Sequence, residues 1–256
     1  MHDFHAHSTY SDGSAFRPML EAAVEAGLEG VGFADHCSLT TDPGWRRQRD
    51  RFARHFDLTY ERRRAALEQL REEYDIAIYD AVEVDYEPGL EDDIRSFLAE
   101  GEFDYALGSV HYVGDHVAFA SEDFSSPDAP EPAAFVADYY DAVIRLVESE
   151  LFDVAAHVDL VEAHPQLAGL RSDEHVERLV DALAESRTVP EVNAKRAKRD
   201  GKPDFHPSDD LFDALVERGV RFTVGTDTHR PEEFAGRTES LRAFVDERGL
   251  DPVSPV

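Results

Sequence analysis

Seven short apolar or β-branched runs alternate with seven amphipathic stretches along the 256 residues, and this alternation leaves few folds open. Strands are expected at 3–7, 30–35, 76–84, 103–110, 152–157, 188–193 and 220–226, and helices at 17–27, 45–73, 90–100, 132–150, 173–185, 207–218 and 238–248. Strands that alternate with helices run parallel, because each return needs a crossover helix. This many units favour a closed α/β barrel over an open sheet. Gly27, Gly101, Gly219 and Gly249 stand where helix ends belong. No linker, repeat or low-complexity tract divides the chain, so residues 1–256 are expected to form a single domain. Two loop-like stretches, 39–51 and 112–132, follow the second and fourth strands. They fall on the side where barrel active sites lie, and we read them as rims or lids.

The strand ends carry the chemistry. His5 and His7 close the first strand, and an H-x-H pair on a strand sends both imidazoles to one face. The other ends read Ala34-Asp35-His36, Glu83-Val84-Asp85, Ser109-Val110-His111, His157-Val158-Asp159 and Asp227-Thr228-His229, with Asp12 in the first loop. Half of the chain's twelve histidines thus fall on one face of the expected barrel. Core packing is a poor reason for that, because buried imidazoles need partners. His5, His7, Asp12, His36, Glu83, His111, His157, Asp227 and His229 are therefore candidate metal ligands. Zinc sites take three or four protein ligands, catalytic ones leaving a position open, so nine suit two or three divalent ions if one carboxylate bridges. Glu83 is the natural bridge, having two oxygens where an imidazole has one free nitrogen. Mixed imidazole and carboxylate ligation suits Zn, Mn or Fe. Asp35, Asp85 and Asp159 are expected to orient ligands or cap helices. Cys37 is expected to pack, and His2, His55, His116, His164 and His175 to lie on the surface.

Composition narrows the partners. The chain carries 55 acidic and 26 basic residues, a formal net charge of −29, and only three of its basic residues are lysine. Such a surface resembles that of proteins from salt-loving organisms, where salt screens self-repulsion. It argues against nucleic acid, which needs a basic footprint. No apolar run is long enough to span a membrane. The single cysteine and the metal-type motif within five residues of the N-terminus lead us to expect a cytoplasmic location.

The motifs His-x-His, Ser-Asp-Gly, Ala-Asp-His, Glu-Val-Asp-Tyr, Gly-Ser-Val-His, Ala-His-Val-Asp and Thr-Asp-Thr-His occur in this order. Together the chain resembles the polymerase and histidinol phosphatase (PHP) superfamily, most of all its histidinol-phosphate phosphatases. Gly108-Ser109-Val110-His111-Tyr112, Leu151-Phe152-Asp153, Glu191-Val192-Asn193 and Asp227 to Glu232 carry the closer likeness. The resemblance implies a distorted (β/α)7 barrel with a trinuclear metal centre. His5, His7, Glu83 and Asp227 would hold one ion, Glu83, His111 and His157 a second, and Asp12, His36 and His229 a third. Two departures stand out: Ala156 replaces the family's glycine before His157, and a basic run, Lys195 to Arg199, replaces a small glycine-containing turn.

The expected activity is hydrolysis of a small phosphomonoester, in the biosynthetic reading L-histidinol phosphate to L-histidinol and phosphate. Other small esters, such as nucleotides or sugar phosphates, are the alternative. A non-catalytic, metal-stabilised binding module is a further one, and it would be expected to lose ligands that are all present here. Glu83 and Asp227 are the catalytic candidates at the ions, and Asp159 a candidate proton source for the leaving alcohol. All three lysines fall between Lys195 and Lys202, after the sixth strand. That island and Arg230 suggest a phosphate clamp of Arg196 and Arg230, with Lys195 as the alternate, because a guanidinium fork meets two phosphoryl oxygens at once. The net charge carries its own consequence. Folding is expected to need salt on the order of molar, through screening and weak cation binding. The melting temperature should rise from dilute buffer to molar KCl, and a flat or falling value contradicts this reading.

Overall fold

The computed structural model describes residues 1–40, 43, 60–119, 124–195 and 204–256. Among them, seven parallel strands form one sheet: β1 (His2–Ala6), β2 (Gly30–Ser38), β3 (Ala77–Asp85), β4 (Tyr105–Ser109), β7 (Val154–Ala155), β8 (Val189–Asn193) and β9 (Thr223–Gly225), in that spatial order. A two-stranded hairpin, β5 (Tyr112–Val113) and β6 (His116–Val117), projects from the loop after β4. Helices α1 (Phe16–Glu25), α2 (Tyr60–Glu73), α3 (Glu91–Gly101), α4 (Pro132–Glu148), α5 (Asp173–Glu185), α6 (Asp209–Glu217) and α7 (Phe234–Arg248) connect the strands. The sheet closes at its ends. The Asp227 amide donates to the His5 carbonyl at 2.7 Å and the His7 amide to the Thr228 carbonyl at 2.9 Å. The fold is thus the distorted (β/α)7 barrel expected from the strand–helix alternation and the motifs.

Register explains why the polar residues gather at one end. β2 and β3 pair without interruption from Gly30↔Ala77 to Ser38↔Asp85, so His36 stands beside Glu83. Side chains alternate along a strand, so residues two apart share a face. Phe4, Ala34, Ala81, Tyr105, Leu107, Val154 and Ala156 form one apolar cluster. Two residues further along the same faces come His36, Glu83 and Ser109. The cluster is therefore an apolar plug, and the polar mouth lies directly above it. Gly32 makes room inside: a Cβ there would lie 1.7 Å from the Tyr105 hydroxyl, which crosses to the Phe4 carbonyl at 2.7 Å. Two larger clusters pack the outer faces of the strands against the helices.

Several boundaries differ from the sequence expectation, for identifiable reasons. The fifth and seventh strands shrink to two and three residues. His157 (φ 29°) and Asp227 (φ 52°) enter the left-handed region just beyond them, which ends the extended backbone. Gly27, Gly219 and Gly249 do take left-handed conformations at helix ends. Gly101 does not; Glu102 (φ 46°) turns the chain instead. Gly101 is required by packing, since a Cβ there would meet the Phe103 ring at 2.2 Å. The helix expected over 45–73 is observed from Tyr60, its earlier part lying outside the described residues.

One buried charge was not foreseen. Tyr60, Arg63, Leu67 and Leu70 form the inner stripe of α2, and Arg63 is fully buried within it. Its guanidinium donates to Asp35 at 2.9 Å, to Asp80, and to the carbonyls of Phe33 and Ala81. Asp35 in turn accepts from the Ser8 amide, the Ser8 hydroxyl and the Ser11 hydroxyl, which holds the loop that carries Asp12. An Arg63→Met substitution leaves buried Asp35 without its counter-charge and Asp80 with Arg64 alone. It is expected to cost about 3–5 kcal/mol, read by denaturant unfolding of the metal-free protein. A loss below about 1 kcal/mol contradicts that role.

Candidate metal centre

Glu83 is the middle of the mouth. β3 delivers its carboxylate, 1 % exposed, among five imidazoles from four segments. Its Oε2 lies 2.8 Å from His36 Nδ1, 3.4 Å from His5 Nε2 and 3.7 Å from His7 Nε2. Its Oε1 lies 3.0 Å from His157 Nε2 and 3.7 Å from His111 Nε2. Asp227 Oδ1 lies 3.3 Å from His7 Nε2 and 3.4 Å from His229 Nδ1. Asp12 Oδ1 lies 3.3 Å from His229 Nε2 and 3.6 Å from His36 Nε2. All nine side chains picked out from the sequence therefore converge on one mouth.

The donor set fits divalent cations. Ligand atoms about 2.0 Å from a tetrahedral ion stand about 3.3 Å from one another, close to the separations seen here. His5 Nε2 and His7 Nε2 approach to 3.1 Å, although two imidazole lone pairs have no reason to face each other without an electrophile or proton between them. Glu83 Oε2 is buried and makes no hydrogen bond despite three imidazole nitrogens around it. A buried carboxylate oxygen in that state is what an ion would satisfy. Three groups of side chains place ligand atoms within 4.8 Å of one another: His7 with Asp12, His36 and His229; His5 with His7 and Glu83; His36 with Glu83 and His111. His7 and His36 each belong to two groups, so the cage is continuous.

The electrostatics follow from this crowding. Burial pushes the Glu83 carboxyl up, but His36, His5 and His111 nearby and the His157 contact hold it well below the usual carboxylate range. Burial likewise opposes Asp227, yet Lys195, His5, His7 and His229 hold it well below. His7 is pushed down to about 3, first by burial and then by His229 and His36. His36 is lifted to about 9, because Glu83, Asp12 and Asp85 outweigh its burial. The site is thus built to keep its carboxylates ionised, and ionised carboxylate is the form that binds cations.

Outer contacts aim the rings. The Asp85 carboxylate receives His111 Nδ1 at 2.6 Å, and the Asp227 carbonyl receives His229 Nδ1 at 2.9 Å. Each bond leaves the ring's Nε2 facing the cage. Arg237 donates to the same Asp227 carbonyl at 2.6 Å and pairs with Glu233, which also accepts the amides of His229 and Arg230. These contacts hold the left-handed Asp227 in place, a conformation costing on the order of 1–3 kcal/mol.

The remaining sequence candidates divide. Asp159 is fully buried and engaged by His206 Nδ1 and the Ser208 amide, both at 2.7 Å. Burial raises its pKa, but His206 and these bonds bring it below the ordinary value. Lys195 reaches Asp227 Oδ1 at 3.0 Å and keeps 44 % of its side chain exposed, so it stands at the rim. Arg230 is exposed, with its backbone amide donating to the Glu233 carboxylate and its carbonyl accepting the Glu233 amide. Arg196 lies outside the described residues, as does His55. His164 is buried at 1 % exposure, against the surface expectation, with its ring against Phe124 and its Nδ1 accepting the Gln166 amide. Cys37 is buried, as its packing role requires.

Sequence reasoning gave no role to Glu191, Asn193 and His206. Glu191 and Asn193 are alternate residues of one strand ending at the mouth, a pattern that could have singled them out. His206 joins from a loop through a backbone bridge to Asn193, and no spacing announces it.

Comparison with known proteins identifies the family. Residues 3–195 match the PHP domain, and the chain belongs to that family. A probable histidinol-phosphatase of Deinococcus radiodurans is 28 % identical over 238 residues, covering 88 % of this chain and 86 % of the relative. A histidinol-phosphatase of Lactococcus lactis is 25 % identical over 237 residues, covering 89 % and 83 %. The crystal structure of a Lactococcus lactis histidinol phosphate phosphatase, complexed with zinc, L-histidinol and phosphate, superposes with a TM-score of 0.81 at 22 % identity, covering 98 % of this chain and 94 % of that one.

Glu83→Gln tests the bridge. One neutral amide oxygen cannot replace two anionic oxygens between cations. Metal content measured by mass spectrometry should fall while the circular-dichroism spectrum persists; a variant that keeps the parental metal content contradicts the assignment.

Proposed function

We propose that this chain is a divalent-metal-dependent phosphomonoesterase and that its substrate is L-histidinol phosphate. The observation that carries the chemistry is the convergence of nine side chains with nitrogen and oxygen donors, Glu83 in their middle, at the barrel mouth. The two relatives matched over most of this chain, both named histidinol-phosphatases, support the substrate. In the proposed assignment His5, His7, Glu83 and Asp227 hold one ion, Glu83, His111 and His157 a second, and Asp12, His36 and His229 a third.

Ions so held would activate water for attack on phosphorus and neutralise charge on the phosphoryl oxygens. The chain's own residues do the positioning. Glu83 and Asp227, kept ionised, fix the ligand atoms before substrate arrives, so little reorganisation accompanies reaction. Lys195, whose ammonium burial disfavours but Asp227, Glu83 and Asp12 keep charged, lies where a phosphoryl oxygen entering the mouth would meet it. We assign it the phosphate contact ahead of the exposed Arg230, with Arg196 as a second donor. Asp159 is committed to His206 and Ser208, which suits it to anchoring that side of the mouth more than to releasing a proton.

The test is phosphate release from a panel of phosphomonoesters by metal-replete protein in molar KCl. L-Histidinol phosphate should give the highest kcat/KM. A nucleotide or sugar phosphate that exceeds it overturns the substrate, and release from none overturns the activity. Lys195→Met should lower kcat/KM for the best substrate by a factor equivalent to about 2–4 kcal/mol, the scale of one preorganised charged donor, with metal content unchanged. A change within about threefold places the phosphate contact elsewhere.

A further inference from the structure

Glu191 sits on the far side of His5 from the cage. It is 1 % exposed, and its Oε1 lies 2.8 Å from His5 Nδ1. Its Oε2 faces two N–H donors, Asn193 Nδ2 at 3.0 Å and the His157 amide at 3.4 Å. The orientation of Asn193 is not free. Its Oδ1 accepts the Lys195 amide at 2.9 Å, so its NH2 must be the end that faces Glu191 and, at 3.2 Å, Asp227 Oδ2. The pair therefore touches ligands from three strand ends: His5, His157 and Asp227. A separate feature keeps the space clear. Gly225, on β9, lies against this contact, and a Cβ there would stand 1.9 Å from Glu191 Oε1 and 2.5 Å from the His5 Cβ.

We propose that Glu191, oriented by Asn193, is a positioning residue that fixes the tautomer of His5 and through it the affinity of the cage for its ions. This rests on the reading that the cage holds ions. The carboxylate accepts on both oxygens, so His5 carries its proton on Nδ1. That leaves the Nε2 lone pair directed at His7 Nε2 and Glu83 Oε2. The consequence is specific to the amide. In Glu191→Gln the position of Oε2 must hold the amide oxygen, because the two donors facing it would repel an NH2. The NH2 is then turned to His5 Nδ1, which must accept. The His5 proton moves to Nε2, where it blocks the lone pair that a cation needs. A near-isosteric change thus inverts one hydrogen bond.

The experiment measures zinc affinity by chelator competition and zinc per chain by mass spectrometry, in molar KCl, with melting of the metal-stripped proteins as the fold control. Glu191→Gln should lose about 10–100-fold in affinity for at least one ion, the range usual for such outer contacts, while its metal-free melting temperature stays within a few degrees of wild type. Glu191→Gln/Asn193→Ala removes the stronger donor that forces the amide's orientation. It should bind zinc more tightly than the single Gln variant, a rescue that general loosening of the core does not give. Unchanged affinity in Glu191→Gln, or a double variant weaker than the single, overturns the proposal. Should Glu191→Gln fail to fold, Asn193→Ala alone decides: a loss of at least about threefold supports the pair and unchanged affinity overturns it. A wild type that binds no zinc overturns this and the metal reading together. A wild type that binds zinc but releases no phosphate overturns the proposed activity alone.

Discussion

A carboxylate with 1 % exposure in the middle of five imidazoles has to be answered by positive charge, and the architecture can be read outward from that requirement. Glu83 cannot be hydrated and has no lysine or arginine within ion-pair distance among the described residues. Burying an unpaired carboxylate is costly, and imidazoles answer it only when protonated or when they share cations with it. The barrel gathers the donor atoms that the second solution needs. Parallel strands in register bring His36 abreast of Glu83, and closure of the sheet brings His5 of β1 and His7 just after it against Asp227 beyond β9. Closing the barrel and building the cage are one event, because the Asp227 amide that pairs the last strand to the first belongs to the residue whose side chain faces His7.

Around the cage stands a ring of buried carboxylates that do not point into it. Asp3 holds Thr226 through its amide and hydroxyl across the closing seam. Asp35 holds the Ser8–Ser11 loop and is itself paired with Arg63. Asp159 holds His206 and Ser208, and Glu191 holds His5. Each is fully or almost fully buried. Each accepts several hydrogen bonds, which is the condition for keeping such groups inside a protein. Their common effect is rigidity at the strand ends. Two of those ends, His157 and Asp227, have a backbone conformation that a free chain would leave.

The sequence disclosed what depends on strand periodicity and little of what depends on contact between distant segments. Eight of the nine candidate positions gathered at the mouth were legible because they stand at the ends of apolar runs, where period-two alternation says which way a side chain faces; Asp12, in the first loop, was legible only from its Ser-Asp-Gly motif. The barrel was legible because strands and helices alternate. The length of β7 and β9 was not, because it is set by the positive φ of His157 and Asp227, which satisfy the cage at the expense of the ladder. Arg63 was hidden for a different reason. It occupies an inner position of α2 where pattern alone calls for an apolar side chain, and only the arrival of Asp35 and Asp80 from neighbouring strands makes a guanidinium suitable. His206 was hidden because its partner, Asp159, lies 47 residues away.

The charge distribution joins the fold to the chemistry. A chain with a net charge of −29 repels an anionic ester at long range, and in molar salt that field extends only a few ångströms. Attraction of a phosphate must therefore be local. At the mouth it can come from bound cations and from Lys195, which stands half-exposed against Asp227. The other two lysines, Lys198 and Lys202, fall within the next seven residues of the sequence. Elsewhere arginine does the basic work: Arg63, Arg64, Arg71, Arg171, Arg187 and Arg248 all bind carboxylates of the chain itself. That division follows from the two side chains. A guanidinium fork suits fixed carboxylates and stays in place, whereas a flexible ammonium at a rim can pass from Asp227 to an entering phosphoryl oxygen. An acidic protein with an anionic substrate can work on these terms because Lys195 stands at the place where the charge of the substrate must be met.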